Sequence, residues 1–331
     1  MKKVVIQIAV LLILLGGMSQ ADQFSKIGSV GAQFLKIGVG SRYQGLGEAS
    51  VAIVNDAYSL YWNPAGLAYI EGSNLTFTNV NWVTDVNLNY VAFGTRIEDF
   101  GTLGISAALL SMGDMEVTTI DEPDGTGDMF TASSFALTFG YARFLTTRLA
   151  FGASFKYIYE KIYTESAGGI AFDFGTQLHT GYKSLRIGMN ISNLGPNMEF
   201  SGPNLKVPIE TQSATSRNGE VAVDSYDIPL TFRLGLAYDL INDPDNTVTM
   251  IVEAKHPNDL EQQASLGSEY NYRDQYFLRA GYKFNYSEQG LTLGGGLNAP
   301  IGRNSTLVAD YAWSDFGRFD SVHRFSIGFK F

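Results

Sequence analysis

The chain closes on HRFSIGFKF, residues 323–331. Phe325, Ile327, Phe329 and Phe331 share one parity, and Arg324, Ser326, Gly328 and Lys330 share the other. A period of two belongs to a β-strand, whose successive side chains point to opposite faces. Chain ends fray in water, so a strand that stacks apolar residues on one face and stops on an aromatic ring needs a dry place to lie.

The same alternation recurs upstream. Leu149, Phe151, Ala153, Phe155, Tyr157 and Tyr159 form one run, and Ile170, Phe172, Phe174 and Leu178 another. Leu185, Ile187, Met189 and Ile191 follow, then Leu230, Phe232, Leu234, Leu236 and Tyr238, and later Leu307, Ala309, Tyr311 and Trp313. Small or polar residues lie between them. From residue 75 onward about fourteen such segments can be counted by the alternation rule. The first two, near 75–83 and 87–96, have a blurred phase.

Connections alternate in length. Those near 97–101, 143–147, 180–184, 240–246, 272–275 and 298–304 are short. The interleaved set includes the two longest, near 111–130 and 193–228, rich in Gly, Pro, Ser, Asn and acids. Short turns on one rim and long loops on the other is the arrangement of outer-membrane barrels. A strand of about ten residues tilted by about 45° covers roughly 23 Å, the height of their apolar band. Only a closed barrel lets strands cross lipid with every backbone group paired. Tyr141, Tyr159, Tyr238, Tyr282 and Trp313 near segment ends suit interfacial girdles. A secreted soluble β-sandwich also alternates, but it explains neither the strand number nor the rim asymmetry. The expected fold is therefore all-β, a 14-stranded antiparallel outer-membrane barrel.

The beginning of the chain agrees on compartment. Met1, Lys2 and Lys3, an apolar run from Val4 to Leu15, and Ser19-Gln20-Ala21 have the form of a secretory signal peptide, residues 1–21. The chain has no cysteine, which excludes a lipid-anchored cysteine, disulfides and thiolate chemistry. Without Lys2 and Lys3 the charge is 21 basic against 33 acidic residues, which argues against nucleic acid as a partner.

Residues 22–71 break the period of two, leaving 72–331 for the barrel. Gly38, Gly40, Gly45 and Gly47 mark close backbone approaches. They are not a dinucleotide fingerprint, because Tyr43 stands where G-x-G-x-x-G needs its third glycine. Asn55-Asp56 can cap a short helix through Trp62, and Asn63 can cap another that starts on Pro64. A fourteen-stranded barrel has a lumen too wide for its own side chains to fill, so a compact Gly-rich segment is a natural plug.

The run FLKIGVGSRYQGLGEASVA with NDAYSLYWNPAGLA resembles the N-terminal signature of the PorV/PorQ family of outer-membrane proteins, relatives of the FadL-type transporters. The resemblance rests on Gly38, Gly40, Gly45, Gly47, Asp56, Asn63, Pro64, Ala65 and Gly66 in order. It implies an N-terminal hatch in a fourteen-stranded barrel. It also implies that Phe325, Ile327, Phe329 and above all Phe331 form an insertion signal for the barrel-assembly machinery, with outer-membrane lipid as the surrounding solvent and both termini periplasmic.

Chemistry is thinly represented. His179, His256 and His323 are scattered as rim or lumen residues, and Ser321 beside His323 is unsupported by G-x-S-x-G or H-E-x-x-H. Asp121, Asp124 and Asp128 do not follow the spacing of a calcium loop. Asp173, Arg186, Arg233, Glu253, Arg279 and Asp310, with Glu269 and Lys283, fall on the lumen parity in mixed sign, the pattern of structural pairing and not of a selectivity ring. No enzyme, cofactor or metal is expected. Two roles remain open. One is a type IX secretion component whose long loops bind the translocon or secreted cargo. The other is a FadL-like conduit for a hydrophobic ligand such as a long-chain fatty acid.

Overall fold

Fourteen antiparallel strands close into a barrel in the computed structural model, which describes residues 28–84, 86–209 and 217–331. The expected signal peptide lies outside the described residues. The strands are β1 (Ser73–Asn81), β2 (Asn87–Ile97), β3 (Gly101–Ser111), β4 (Ala132–Phe144), β5 (Leu149–Ile162), β6 (Glu165–His179) and β7 (Arg186–Leu194). They continue as β8 (Thr231–Asn242), β9 (Asn246–Pro257), β10 (Gln263–Tyr272), β11 (Tyr276–Phe284), β12 (Leu291–Ile301), β13 (Ser305–Asp315) and β14 (Ser321–Lys330). Each pairs with its successor, and β1 returns to β14 with Phe77 opposite Ile327. No sheet edge remains open.

The barrel wears its apolar face outward. On β14, Phe325, Ile327 and Phe329 are 53%, 49% and 42% exposed, whereas Arg324 and Ser326, on the other parity, are 0% and 4% exposed. A soluble barrel would invert this, so the outward face is matched to hydrocarbon. Among the described residues no helix is long and apolar enough to cross a membrane. The strands make the crossing. The blurred phase of β1 and β2 has a physical cause: Val80, Leu88, Tyr90 and Ala92 face inward and are buried, while Leu75, Phe77 and Val91 face outward. Both faces of these two strands are apolar, so alternation disappears from the sequence.

All the connections on one rim are short. In the one between β10 and β11, Arg273 (φ 54°) and Asp274 (φ 55°) take the left-handed backbone that matches a hairpin's turn to the twist of its strands. The opposite rim carries the connections 112–131 and 195–230. Each holds its own two-stranded ribbon, Met115–Glu116 with Met129–Phe130 and Lys206–Ile209 with Arg217–Glu220.

Residues 30–70 run through the lumen from one rim to the other. Val30 bridges Asp227 in the 195–230 connection, and Gly72 meets Phe331 at the far end. The first described residues and the C-terminus therefore sit at opposite rims. The segment crosses the lumen lengthwise before β1 begins, and the N-terminal residues on which the expectation of two periplasmic termini bears lie outside the described residues. Its regular pieces are short: two α-turns, Ser41–Gln44 and Ser59–Trp62, and two 3-10 turns, Gln33–Lys36 and Pro64–Tyr69. Asn63 caps the last of these as expected, its Oδ1 accepting from the Ala65 N–H at 3.1 Å. Asp56 differs from expectation. Its side chain closes a local turn onto the Tyr58 N–H at 3.0 Å, and the helix begins only at Ser59. Tyr43, Leu46, Leu60, Trp62 and Leu67 are the centre of the core, each 0% or 1% exposed.

Candidate functional site

The inner segment sits on glycine. Wall residues Gly140, Gly152, Gly175, Gly188, Gly267 and Gly281 belong to six different strands and face the segment, meeting its backbone at Gly152, Gly188, Gly267 and Gly281 and the side chains of Leu60 and Asn63 at Gly140 and Gly175. A Cβ on Gly152 would lie 2.3 Å from the Pro64 carbonyl carbon, and one on Gly188 would lie 2.1 Å from the Val51 oxygen. Cβ atoms do not approach other atoms that closely, so these positions must lack a side chain for the segment to fit. The alternation rule registers such glycines only as "small". Their phase, a glycine on the lumen parity of strand after strand, is the signal that would have revealed a belt.

Polar side chains then tie the segment to the wall. Glu253 Oε2 accepts from the Ser50 and Val51 N–H groups at 2.7 and 3.0 Å. The Val51 carbonyl accepts from Asn63 Nδ2 at 2.8 Å and Gln177 Nε2 at 3.0 Å. Every one of these groups is buried, so each bond also avoids the cost of an orphaned donor or acceptor.

Glu48 is the hub. Lys283 Nζ donates to Glu48 Oε1 at 2.7 Å, while Arg233 and Lys255 approach Oε2 at 3.9 and 3.8 Å. Burial opposes ionisation of Glu48, but Lys283, Lys255 and Arg233 outweigh it and hold the carboxyl well below the usual carboxylate range. Arg233 also pairs with Glu253 at 2.9 Å and lies over the Trp62 ring at 4.9 Å. A second network lies toward the short-turn rim: Arg42 and Arg279 both grip Glu269, at 2.9 and 2.7 Å, and Arg279 reaches Asp310 at 2.5 Å. Tyr43 donates to Asp56 at 2.7 Å, and burial raises the Asp56 carboxyl despite the nearby Arg42.

The sequence-selected residues divide accordingly. Arg233 and Glu253 join the Glu48 hub, Arg279 and Asp310 join the Arg42 network, Asp173 pairs with Lys156 at 3.1 Å, and Arg186 pairs with Asp239. Gly45 and Gly66 approach the backbone of Gly294 and Val54, Gly38 lies against the side chains of Gln44 and Trp62, and Gly40 and Gly47 have positive φ. Pro64 and Ala65 lie against Gly152. Sequence reading passed over Glu48, Lys255 and Arg324. The first sits in the aperiodic segment. The other two are cations on an expected lumen parity that only the fold brings together. His179 stacks on Tyr69 and His256 faces outward near the end of β9. His323 contacts Tyr311 and Ser321 on the outward face at 2.8 and 3.3 Å. The strand N–H groups beside that trio are paired in the β13–β14 ladder and offer no oxyanion site. Asp121, Asp124 and Asp128 lie exposed in the 112–131 connection, and no cluster of three metal-binding side chains forms among the described residues.

Two cavities flank the inner segment and share no lining residue. At the short-turn rim a polar one of about 390 Å³ is lined by Asn74, Asp239, Asp274 and Lys330 among others. At the long-loop rim a vestibule of about 480 Å³ lies between Phe34, Trp82, Val86, Leu110, Leu260 and Tyr286, with Lys255 and Gln263 in its lining.

A family model described as type IX secretion system protein PorV matches residues 19–257. The chain belongs to the PorV family. Among curated proteins there is no match in sequence. The fold is similar to that of the CymD monoaromatic hydrocarbon channel, at TM-score 0.57 and 14% identity over 88% of this chain and 97% of that one. It is also similar to the Ralstonia pickettii toluene transporter TbuX, at TM-score 0.56 and 13% identity over 88% and 97%. A Pseudomonas aeruginosa FadL homologue aligns at TM-score 0.51 and 12% identity over 88% and 97%. These likenesses establish a FadL-like outer-membrane barrel fold. The PorV family assignment places the chain with type IX secretion.

Proposed function

We propose that this PorV-family barrel works as a docking component of type IX secretion, holding the translocon or its cargo at the long-loop rim while residues 22–71 act as a hatch. The observation that carries this reading is the combination of a filled lumen with two self-structured loops on one rim. By the arrangement of outer-membrane barrels, that rim faces outward and the short turns with Phe331 face the periplasm. The 112–131 loop is well suited to docking. It contains Asp114, Glu116, Asp121, Glu122, Asp124 and Asp128 and no Lys or Arg, and Ile120 stands 100% exposed at its tip. Exposed apolar residues framed by charge mark protein contact sites.

Replacing residues 115–130 by a short Gly-Ser turn is expected to abolish co-purification of secretion components from detergent extracts while leaving a heat-stable barrel. Undiminished recovery would refute loop docking. Recovery of bound fatty acid with no protein partner would favour the conduit. That alternative draws support from the hydrocarbon-channel likeness, but it requires the hatch to move and the wall to open. Above Leu194 the wall between β6 and β8 is completed by chain outside the strands, through bridges Ser166–Ser201 and Met198–Tyr226.

Phe331 fits the role of assembly signal. Its ring is 56% exposed, and its backbone closes the barrel against Ser73, accepting at 2.7 Å and donating at 3.0 Å. Deleting Phe331 is expected to slow insertion in an outer-membrane assembly assay; insertion at the wild-type rate would remove the signal reading.

A further inference from the structure

The lipid-facing wall carries a polar block that neither the hatch nor the loops account for. Toward the long-loop rim, β1 has no outward apolar residue beyond Phe77 and β2 none beyond Val91, whereas β5 keeps them as far as Tyr159. In their place stand four outward asparagines, Asn79 paired across the ladder with Asn89, and Asn81 with Asn87. His323 on β14 lies next to Asn81, its ring held by the Tyr311 and Ser321 hydroxyls at 2.8 and 3.3 Å.

The block is a notch in the apolar band. Asn89 is the cross-strand partner of Leu109, and Asn79 that of Phe325, both large and exposed to hydrocarbon. At 3.3 Å per residue and a tilt of about 45°, β1 reaches Asn79 roughly 14 Å above Ser73, short of the roughly 25 Å that such a band spans. Asn79 Nδ2 donates to Asn89 Oδ1 at 2.9 Å, which leaves a carbonyl and an N–H₂ of that pair facing outward. Hydrocarbon cannot satisfy them, and leaving amides unpaired there is costly. Thinning a bilayer beside a short apolar stretch costs much less. The notch also opens upward: Asn81 runs directly into Trp82–Thr84 at the long-loop rim, so polar matter reaches it without crossing hydrocarbon. Its outward residues include no Lys, Arg, Asp or Glu, so it selects by hydrogen bonding and not by charge. Amides offer donors and acceptors together, which suits the hydroxyl and amide groups of a lipid headgroup and the water around them.

We infer that this notch draws hydrated lipid headgroups of the leaflet on the long-loop side down against β1 and β2, thinning the bilayer beside the seam where β1 meets β14. Asn79, Asn81, Asn87 and Asn89 hold the headgroups, and Leu75, Phe77 and Val91 below them mark where the acyl chains begin. The thinning is local, because Leu109 on β3 and Phe325 on β14 remain lipid-facing on either side. It does not depend on what the loops dock; the orientation of the barrel decides only which leaflet is drawn in.

The chain has no cysteine, so single introduced ones report what surrounds them. The full barrel is placed one copy per lipid nanodisc, which leaves lipid as the only possible cover, and treated with a sulfonated maleimide that does not enter bilayers. Asn89→Cys is expected to label within about tenfold of Ile120→Cys in the exposed loop, and Leu109→Cys and Leu234→Cys about a hundredfold more slowly, because a thiol in hydrocarbon neither ionises nor meets the reagent. Asn79→Cys reads the same level if Asn89→Cys fails to assemble. Filling the notch with Asn79→Leu and Asn81→Leu should slow Asn89→Cys to the rate of Leu109→Cys. Labelling of Asn89→Cys as slow as Leu109→Cys would show hydrocarbon in the notch, and labelling of Leu109→Cys as fast as Asn89→Cys would show a loose wall; either result overturns the inference. So would oxidation of Asn81→Cys barrels in liposomes to disulfide-linked dimers, which would give the notch to a second copy of the chain.

Discussion

Glu48→Gln is expected to loosen the inner segment from the barrel by about 3–5 kcal/mol, the usual cost of leaving a buried charge cluster without one partner. Glutamine keeps the volume and can still accept from Lys283 Nζ, now at 2.7 Å from Glu48 Oε1, so the loss isolates charge from packing. What remains is Lys283, Lys255 and Arg233 facing Glu253 alone. The measurements are limited proteolysis within residues 38–54 and ion conductance of the barrel in a planar bilayer. The variant should be cleaved and conduct where the wild type does neither. Adding Lys255→Met removes a surplus cation and should restore part of the seal, a coupling that a double-mutant cycle reads directly. Acid tests the same contact. A carboxylate whose folded pKa is depressed contributes fully above its unfolded value, about 4.3, and loses that contribution as pH falls through the folded one. Since Glu48 is held well below the usual range, its own contribution to the seal should persist from pH 8 to about 5 and fall only in strong acid. A Glu48→Gln barrel as tight as wild type would remove Glu48 as the hub.

The sequence disclosed the barrel because lipid imposes a rule on every strand: one parity must be apolar whatever else the strand does. Phe155, Phe172, Leu234 and Ile327 obey it, and so do the girdle positions Tyr141 and Trp313 on the same outward parity. The rule says nothing about what the other parity touches. Asp173, Arg233, Glu253 and Arg279 could be placed in the lumen from their phase, but their partners could not be named. Arg233 meets Glu48 across 185 positions of chain, and Lys283 meets it across 235. Such pairings follow from barrel closure and strand register, which no local period encodes. The inner segment was legible only as an exception to the period of two, and its end near the long-loop rim was not legible at all. Direction along a lumen is set by contacts such as Lys36 with Asp259 and Val30 with Asp227, each about 200 residues apart. The hydrophobic signal failed where the segment's aromatic side packs. Tyr58 stacks on Tyr90 at 5.8 Å, and this demand for apolar surface on both faces of β2 erased its alternation.

Gly188→Val should unseat the inner segment without preventing the strands from closing. The wall at Gly188 is in contact with backbone, not with a flexible side chain: an added Cβ would lie 2.1 Å from the Val51 oxygen and 2.4 Å from its carbonyl carbon. That carbonyl is fixed by Asn63 Nδ2 and Gln177 Nε2, so it cannot retreat without stranding two buried donors. Overpacking costs about 1–3 kcal/mol, and each stranded donor adds a comparable amount. Gly152→Val, pressing on Pro64 and Ala65 from β5, should act the same way, and the two effects should be less than additive because Asn63, next to Pro64, donates to the Val51 carbonyl and couples the two sites. Gly168→Ala on β6 is the control, since its nearest neighbour is the Tyr157 hydroxyl at 3.7 Å. The strand ladder does not depend on the segment, so the valine variants should still run as heat-modifiable barrels on gels. Their segments should become open to protease and their lumens to ions. If Gly188→Val is as protease-resistant as Gly168→Ala, the glycine belt is not what seats the segment.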